Sequence, residues 1–455
     1  MPRHVLVFPP GGVDRLRETL LADVPLEAAH FIFARPVKTP GGAWRLIVCD
    51  SLNVAPGDYL LRSEVALELS PSVVAAAMQQ ARTEGLSIIV THSHPFAGSV
   101  SPSERDRAGE ARLLPAFRRR IPDAPHARLI VGPDALHAAI FDTADDECPL
   151  SVIEVGRDIT VFSDSRDDRH GSASGSGEGL YDRQIRAFGE VGQMTLAAQR
   201  VAIIGLGGTG SVVAQQLAHL GVGEFLLVDP DVIEPTNLNR IVGARREDVG
   251  RLKVDVARRL IASVNPSARV HVLQADVRDC MTARTVLDTD AFFCCTDSQG
   301  SRAILSQLAY QYWLPGVDVG VAIHVGEEGV THVSGRVQML GPTLPCLLCC
   351  GVLDPETVRR DLLSDQARAL DQYIVGAPTA QPAVISINSA ASSLAVTMFL
   401  AAVTGVPVGT RNQRLRLESG MVSRVDIAPR PDCPVCSPSG TSARGDSWPM
   451  PGRVQ

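Results

Sequence analysis

One stretch of this chain has the residue types and spacing that bind phosphate. Residues 201–210 read VAIIGLGGTG, an apolar run followed by four glycines. The run predicts a buried strand, and an amphipathic pattern to about Leu220 predicts a helix after the loop. Backbone amides at a helix N-terminus bind phosphate, because they point out of the positive end of the helix dipole. The predicted phosphate-binding residues are Gly205, Gly207, Gly208 and Gly210.

Charged and polar residues follow the glycine loop. A second apolar strand, 225–228, ends at Asp229, some twenty residues beyond the glycines, where a carboxylate can hold ribose hydroxyls. Asn237 and Arg240 follow in NLNR, and Lys253 comes next. The glycines alone also fit a nicotinamide dehydrogenase. Hydride transfer needs little cationic charge there, whereas transfer of a nucleotide phosphate needs it, because negative charge redistributes in the transition state.

A further apolar run, 291–296, predicts another parallel strand that ends at Asp297. The carboxyl ends of parallel strands face the crevice where ligands bind. We therefore expect Asp297 to hold Mg²⁺ on a triphosphate. Capping the helix that follows is a second role for Asp297, compatible with the first, and Arg302 on that helix is a candidate support for the site.

A second group of reactive residue types precedes the glycine loop. The apolar run 88–90 predicts a buried strand that delivers His92 and His94, whose side chains would point the same way. Ser103, a predicted helix cap, and Asp106 open the next helix. Two histidines and an aspartate leave the fourth position of zinc for water, as in catalytic sites. Solvated histidines in a turn and a metal-free scaffold are the alternatives.

Four cysteines form two CxxC pairs, one in PCLLCC and one in DCPVC. Four thiolates satisfy a closed tetrahedral zinc site, and a set of reduced structural thiols is the alternative. The predicted ligands are Cys346, Cys349, Cys433 and Cys436.

Length and composition limit the classes of protein. The chain has 455 residues, is 45% hydrophobic and carries a net charge of -7, with no long basic run. We therefore expect two or three domains and no binding to nucleic acid or anionic membrane. We predict no signal peptide and no membrane-spanning stretch. CxxC pairs without a secretion signal indicate metal ligands and a reducing cytoplasm.

Composition also divides the chain. Residues 1–163 form a first predicted α/β unit, and 164–178, rich in glycine, serine and charge, form a predicted flexible linker. Residues 179–437 form a second α/β unit. Residues 438–455 contain few apolar side chains and are predicted to be a disordered tail.

Several motifs together resemble one family. YDRQI at 181–185, GLGGTG, Asp229 with Asp231, NLNR, Lys253 and Asp297 resemble the adenylation domain of the ThiF, MoeB and ubiquitin-activating family over residues 179 to about 436. The resemblance implies a Rossmann-like domain whose structural zinc joins the C-terminal segment to it. It implies ATP and Mg²⁺ as ligands. The catalytic and nucleotide-binding residues that it implies are Arg183, Gly205, Gly207, Gly208, Gly210, Asp229, Asp231, Asn237, Arg240, Lys253 and Asp297.

By the same resemblance, the C-terminal carboxylate of a small carrier protein attacks the α-phosphate of ATP. An acyl adenylate forms and pyrophosphate leaves. Arg183 would reach the nucleotide of a partner subunit, which implies a homodimer. Ubiquitin-activating relatives also form a thioester, but residues 351–432 contain no cysteine. Cys350 or a separate conjugating cysteine protein would take that role, or the reaction would stop at the adenylate. Asn388 matches the family without an assigned role.

The first unit resembles the JAMM (JAB/MPN) metalloprotease family over about residues 13–142. HSHP followed by SERD carries this resemblance. The implied ligands of a catalytic zinc are His92, His94 and Asp106. Ser103 would stabilise the tetrahedral intermediate. Glu27, at the start of an early strand, would be the general base, and Glu64 is the alternative.

Both units could act on the glycine-rich C-terminus of a ubiquitin-like protein. The first would hydrolyse the peptide or isopeptide bond that follows this C-terminus, in processing or deconjugation, and the second would activate its carboxylate. Our main hypothesis is a bifunctional enzyme of a prokaryotic ubiquitin-like conjugation system, with antiphage defence implied only by association with such fusions. The alternative is maturation and adenylation of a sulfur carrier for cofactor or cysteine biosynthesis. A non-catalytic nucleotide-binding regulator is a third class.

Overall fold

A computed structural model describes residues 3–96, 100–142, 147–162, 179–363 and 382–453. The chain divides into two compact units. Unit 1 comprises Met1–Val155, Ile159–Ser174 and Ala443–Pro449, and unit 2 comprises Gly156–Asp158, Gly175–Ser442 and Met450–Gln455. The predicted linker, 164–178, lies outside the described residues.

Unit 1 is a mixed α/β structure. Its strands are β1 (His4–Phe8), β2 (Ala29–Lys38), β3 (Trp44–Asn53), β4 (Tyr59–Arg62), β5 (Leu67–Leu69), β6 (Ser87–Ser93), β7 (His126–Val131), β8 (Leu136–Phe141), β9 (Glu147–Val155) and β10 (Ile159–Phe162). Its helices are α1 (Gly12–Leu20), α2 (Pro71–Glu84) and α3 (Glu104–Arg120). The sequence pattern predicts a first helix over 16–24, and the observed α1 begins and ends earlier.

One sheet supports unit 1, in the order β1-β3-β2-β6-β7-β8-β9-β10. Strand β1 also pairs with β9, so the sheet curves back on itself. Strands β2 and β6 are antiparallel, and Ala29 lies opposite His92. This register brings the chain just before β2, which includes Glu27, to the same end of the sheet as the histidines.

Serine followed by proline at 70–71 predicts a serine cap for α2, as Ser103 does for α3, and both caps are present. The Ser70 hydroxyl accepts a hydrogen bond from the Val73 amide, and Pro71 is the first residue of α2. The apolar pattern over 59–67 predicts a single strand. This prediction is wrong, because the chain reverses between β4 and β5, which pair antiparallel. The Ser63 amide and hydroxyl both bond to the Ala66 carbonyl, at 2.9 and 3.0 Å, and they close this turn.

Unit 2 is a larger α/β structure. Its strands are β11 (Arg200–Ile204), β12 (Glu224–Val228), β13 (Arg269–Leu273), β14 (Ala291–Cys294), β15 (Gly316–Gly326), β16 (Gly329–Leu340), β17 (Asn412–Arg416) and β18 (Met421–Arg424). Its helices are α4 (Asp182–Ala198), α5 (Gly208–Leu220), α6 (Lys253–Val264), α7 (Cys280–Thr285), α8 (Gln299–Gln311), α9 (Pro355–Leu362) and α10 (Ile385–Thr404).

The sheet of unit 2 has the order β13-β12-β11-β14-β15-β16-β17-β18. Strands β13, β12, β11, β14 and β15 are parallel, and the remaining pairs are antiparallel. The chain leaves β11 towards β12 on one side and later returns to β14 on the other. A ligand crevice forms at such a switch point, at the carboxyl ends of the strands.

Helix α10 corrects the expectation of no membrane-spanning stretch. Its 20 residues have a mean hydropathy of 1.5, long and apolar enough by composition to cross a membrane, but half of the helix is buried. Ala391, Ala395 and Phe399 are buried, and the rings of Phe293 and Phe399 lie 5.5 Å apart. Packing against the sheet accounts for the apolar composition of α10.

The C-terminal segment differs from the predicted disordered tail over its described part, 438–453. Thr441 is buried and donates a hydrogen bond to the Val435 carbonyl. Arg453 forms an ion pair with Asp276 at 2.9 Å. Local apolar content did not reveal this order, because partners distant in sequence supply the contacts.

Two glycines of the glycine loop, 205–210, provide a test of the fold. A Cβ atom at Gly210 would lie 1.8 Å from the Gly205 carbonyl oxygen, whereas one at Gly207 meets nothing within 4 Å. We expect Gly210→Ala to lower the free energy of unfolding by about 2 kcal/mol or more, because backbone must shift. Gly207→Ala is the matched control and should change it by about 1 kcal/mol or less, because the added methyl meets no atom and only the N-cap of α5 becomes poorer. Equal denaturation midpoints for the two variants would contradict this packing.

Candidate functional site

The glycine loop joins β11 to α5 at the switch point of unit 2. Gly205 has φ +88, a left-handed conformation that favours glycine. A Cβ atom there would lie 2.9 Å from the Cys295 carbonyl oxygen. Gly207 is the N-cap of α5 and provides no capping side chain. The first amides of α5 are therefore left for a ligand, and the structure brings the predicted phosphate-binding glycines into one turn.

Asp229 follows β12, and its side chain holds the glycine loop in place. Its carboxylate accepts hydrogen bonds from the amides of Leu206 at 2.6 Å and Asp231 at 2.9 Å. The side chain is buried, and burial raises the pKa of Asp229 despite the nearby Lys253 ammonium. A carboxylate has about four acceptor positions, so further ones are available to ribose hydroxyls.

Both cations predicted for the phosphates lie near this loop, Lys253 beside Asp229 and Arg240 beside Gly208. Lys253 is the first residue of α6, and its Nζ lies 2.7 Å from Asp231 and 3.9 Å from Asp229. Arg240 donates to the Thr236 carbonyl at 2.5 Å. Asn237 is buried, and its Oδ1 accepts the Glu234 amide at 3.2 Å, so it shapes the turn that carries Arg240.

Asp297 is exposed just beyond β14, near the start of α8. The N-cap of α8 is Ser298 and not Asp297. The Ser298 hydroxyl accepts a hydrogen bond from the Ser301 amide. Asp297 therefore lies outside the helix, in a position open to a cation. Arg302 donates to the Thr296 carbonyl at 2.8 Å and supports the loop from inside.

Asp361 on α9 is a residue that sequence reasoning missed. Its carboxylate accepts hydrogen bonds from the Ser298 hydroxyl at 2.8 Å and the Gly300 amide at 3.0 Å. It therefore fixes the start of α8, beside Asp297. The two segments are 61 to 63 residues apart in the chain, so no local motif could have identified this contact.

Arg183 is not brought into this group by the chain itself. It lies exposed in the first turn of α4. Its predicted role concerns the nucleotide of a second subunit.

Four cysteine thiols lie close together in unit 2, two of them in the segment after β16 and two in the segment after β18. Their sulfur atoms lie within 4.8 Å of one another. The Sγ atoms of Cys346 and Cys433 are 3.5 Å apart, as are those of Cys349 and Cys436. Such a set suits a closed zinc site.

The neighbouring Cys350 is outside this set. Its Sγ accepts a hydrogen bond from the Asn412 amide at 3.6 Å, and burial raises its pKa. Burial therefore lowers the share of thiolate, the reactive form, at this half-buried position.

The histidine group of unit 1 also converges. The Nε2 atoms of His92 and His94 are 3.2 Å apart, and they lie 3.2 and 3.4 Å from the carboxylate of Asp106. Burial alone would raise the pKa of Asp106, but hydrogen bonds from both histidines outweigh it and lower the pKa. A neutral imidazole pair with one carboxylate is a zinc donor set with room for a fourth ligand.

The structure separates the two candidate bases. Glu27 is 7% exposed, and its Oε1 lies 4.0 Å from Nε2 of His94. Burial raises the pKa of Glu27. Glu64 is exposed in the turn between β4 and β5. Ser103 caps α3: its hydroxyl accepts a hydrogen bond from the Asp106 amide at 3.1 Å, and its own amide donates to the Asp106 carboxylate at 2.7 Å, so it orients this candidate ligand.

A cavity of about 450 Å³ opens beside His92 and Asp106. Strands β4 and β5 and helices α2 and α3 supply its mostly apolar walls. Sequence reasoning missed this cavity, because its lining comes from several separate segments.

The cysteine cluster yields a test. We expect Cys433→Ser to bind one zinc ion fewer per chain by elemental analysis. It should also lower the midpoint of thermal unfolding by about 5 °C, equivalent to about 2 kcal/mol. Cys350→Ser is the matched control, because its sulfur lies outside the four-thiol set, and it should keep the full zinc content. Equal zinc in both variants would contradict a metal site here.

Comparisons with known proteins fit the geometry of unit 2. A "SAMP-activating enzyme E1" of Haloferax volcanii is 27% identical over 272 residues, 58% of this chain and 91% of that protein. A "Molybdopterin-synthase adenylyltransferase" of Escherichia coli is 35% identical over 147 residues, 32% of this chain and 59% of that protein.

Among solved structures, E. coli MccB with MccA-N7isoASN has a TM-score of 0.46 and 20% identity over 58% of this chain and 76% of that chain, too distant to support an argument. The ThiF family matches residues 181–435, more than half of the 455 residues. The chain therefore belongs to the ThiF family, and its second unit is a ThiF-type adenylyltransferase domain.

Proposed function

We propose that unit 2 uses ATP and Mg²⁺ to adenylate the C-terminal carboxylate of a ubiquitin-like or sulfur-carrier protein. One observation carries this proposal: at the carboxyl ends of β11, β12 and β14, the amides of the glycine loop, two cations and an exposed carboxylate converge. The names of the archaeal and E. coli relatives support the class of substrate. Family membership disfavours the nicotinamide dehydrogenase.

Each group has a role in this reaction. Asp229 would accept hydrogen bonds from the ribose, and the first amides of α5 would hold phosphate oxygens. Arg240 and Lys253 would stabilise the negative charge as the carrier carboxylate bonds to the α-phosphorus. The bond from the α-phosphorus to the bridging oxygen breaks, and pyrophosphate leaves. Asp297 would hold the Mg²⁺, which supplies charge neutralisation on the phosphates when bound.

The state of Cys350 bears on the fate of the acyl group after adenylation. Cys350 is half-buried, its sulfur accepts a hydrogen bond from the Asn412 side chain, and burial raises its pKa, which disfavours the thiolate that would accept an acyl group. This favours a reaction that stops at the adenylate or passes the acyl group to a separate protein. It supports the sulfur-carrier alternative, in which the adenylate is the form that receives sulfur, against a thioester within this chain.

We propose further that unit 1 is a zinc-dependent peptidase acting on the same carrier. The His92, His94 and Asp106 donor set supports this, as does the adjacent cavity, which could take the residues beside the cleaved bond. Zinc, when bound, supplies a Lewis acid that polarises the carbonyl and acidifies water. Glu27 would take the proton from water and later give it to the leaving amine.

The proposal includes a homodimer in which Arg183 reaches the nucleotide of the partner subunit, supported by its exposure on α4. The physiological role is either ubiquitin-like conjugation or biosynthesis with a sulfur carrier. A role in antiphage defence has the support of the fused two-unit arrangement alone.

The adenylation proposal predicts a loss of exchange activity in Lys253→Ala. We expect its kcat/KM in carrier-dependent ATP–pyrophosphate exchange to fall by about 10²- to 10³-fold, because a cation that stabilises transition-state charge is removed. Arg258→Ala is the matched control, because Arg258 lies on the same helix, carries the same charge and is half exposed beside Asp255. Exchange that survives in Lys253→Ala, or needs no carrier with a free glycine end, would count against the proposal.

The peptidase proposal predicts that Glu27→Gln abolishes cleavage of a carrier fusion, with a loss of about 10²- to 10⁴-fold. Zinc content and pyrophosphate exchange should stay at wild-type levels, because the change is isosteric and confined to unit 1. Glu64→Gln should cleave normally, since that side chain is exposed. Normal cleavage by Glu27→Gln would contradict the assignment of Glu27 as the general base. If the wild-type protein neither cleaves the fusion nor binds a second zinc ion, unit 1 is not a zinc-dependent peptidase.

A further inference from the structure

Asn388 is a buried amide whose chemistry the fold does not use. It lies in the first turn of α10 and is 4% exposed. Its backbone amide bonds to the Val384 carbonyl at 3.0 Å. Its side chain has no hydrogen bond to any residue in the described part of the chain. Buried side-chain amides are nearly always hydrogen-bonded, because an unmade bond is costly. The amide atoms of Asn388 are not fully enclosed, so a partner from outside the chain can reach them.

The side chain of Asn388 lies against the glycine loop. A Cβ atom at Gly208 would lie 2.2 Å from Nδ2 of Asn388 and 3.4 Å from Cδ of Arg240. Gly208 is the first residue of α5. The carboxamide is therefore beside the amides that would hold phosphate and near the Arg240 side chain.

The position of Asn388 is fixed by packing one turn further along. The Ser392 hydroxyl donates to the Thr209 carbonyl at 3.1 Å, and Gln216 donates to the Ser393 hydroxyl at 2.8 Å. Residue numbers in these contacts, together with that of Gly208 with Asn388, increase in the same direction along α5 and α10. Both helices therefore direct their N-terminal, positive ends towards the glycine loop.

We propose that Asn388 donates a hydrogen bond from Nδ2 to the nucleotide held by the glycine loop. The inference rests on the proposed adenylation function and adds a nucleotide-binding residue to it. A neutral amide adds a donor without further charge beside Arg240 and Lys253. It also explains Gly208, which is not one of the three glycines of the GxGxxG spacing: any side chain at this position would displace the amide.

Binding of MgATP, measured by calorimetry on the full chain, tests the proposal without a carrier protein. We expect Asn388→Ala to raise the Kd about tenfold, as for a lost hydrogen bond to a charged group. Asn388→Asp should raise it further, because an isosteric carboxylate cannot donate and repels phosphate. Ser393→Ala, on the same helix but facing Gln216, is the matched control and should keep the wild-type Kd.

A double-mutant cycle with Gly208→Ala tests whether Asn388 and Gly208 are in contact in the MgATP-binding state, while the difference between the Asn388→Ala and Asn388→Asp Kd values reports on the phosphate itself. The added methyl should weaken MgATP binding in the wild-type background and do so less in the Asn388→Ala background, because the clashing amide is gone. Wild-type Kd values in Asn388→Ala and Asn388→Asp would overturn the inference, even if their unfolding temperatures fell. Failure of the wild-type chain to bind MgATP would overturn the proposed function as well.

Discussion

A single buried carboxylate organises the nucleotide crevice of unit 2. Asp229 accepts the Leu206 amide from the glycine loop and the Asp231 amide from the segment after β12, and Lys253 at the start of α6 lies 3.9 Å away. Three segments distant in sequence thus meet on one side chain. Burying this charge is costly unless amides and a cation compensate. The compensation also fixes the conformation of the loop, so the geometry that we propose for phosphate and ribose exists in the chain without a ligand.

The two units place polar groups at a sheet edge by different means. In unit 2, parallel strands end together, and backbone amides at a helix start supply most donors. In unit 1, an antiparallel register sets the chain before β2 beside His92, and a capping serine orients Asp106. The first arrangement suits a large anion, because amides are spread along a loop. The second suits a small cation, because three side chains approach one point.

Much of both sites could be predicted, because the residues concerned belong to local patterns. Glycine spacing, apolar runs ending in aspartate, and serine before a helix are each decided by a few neighbours. Asp361, the unit 1 cavity and the ordered segment 438–453 could not be predicted, because their partners lie far away in the chain. The reversal between β4 and β5 was missed for a different reason: a short polar turn interrupts an apolar run without glycine or proline. The role that we propose for Asn388 depends on α10 lying against α5, which no local pattern reveals.

The course of the C-terminal segment bears on the order of events during synthesis. Residues 443–449 belong to unit 1, where a side chain at Gly445 would come within 3.0 Å of Val37, and residues 450–453 return to unit 2. N-terminal domains usually fold first, as they leave the ribosome. Here the N-terminal unit obtains one of its own packing segments only after nearly all of the other unit has been translated. The packing of residues 443–449 against the rest of unit 1 is therefore a late folding step. If translation stalls inside unit 2, the surface around Val37 lacks this segment and stays exposed to solvent.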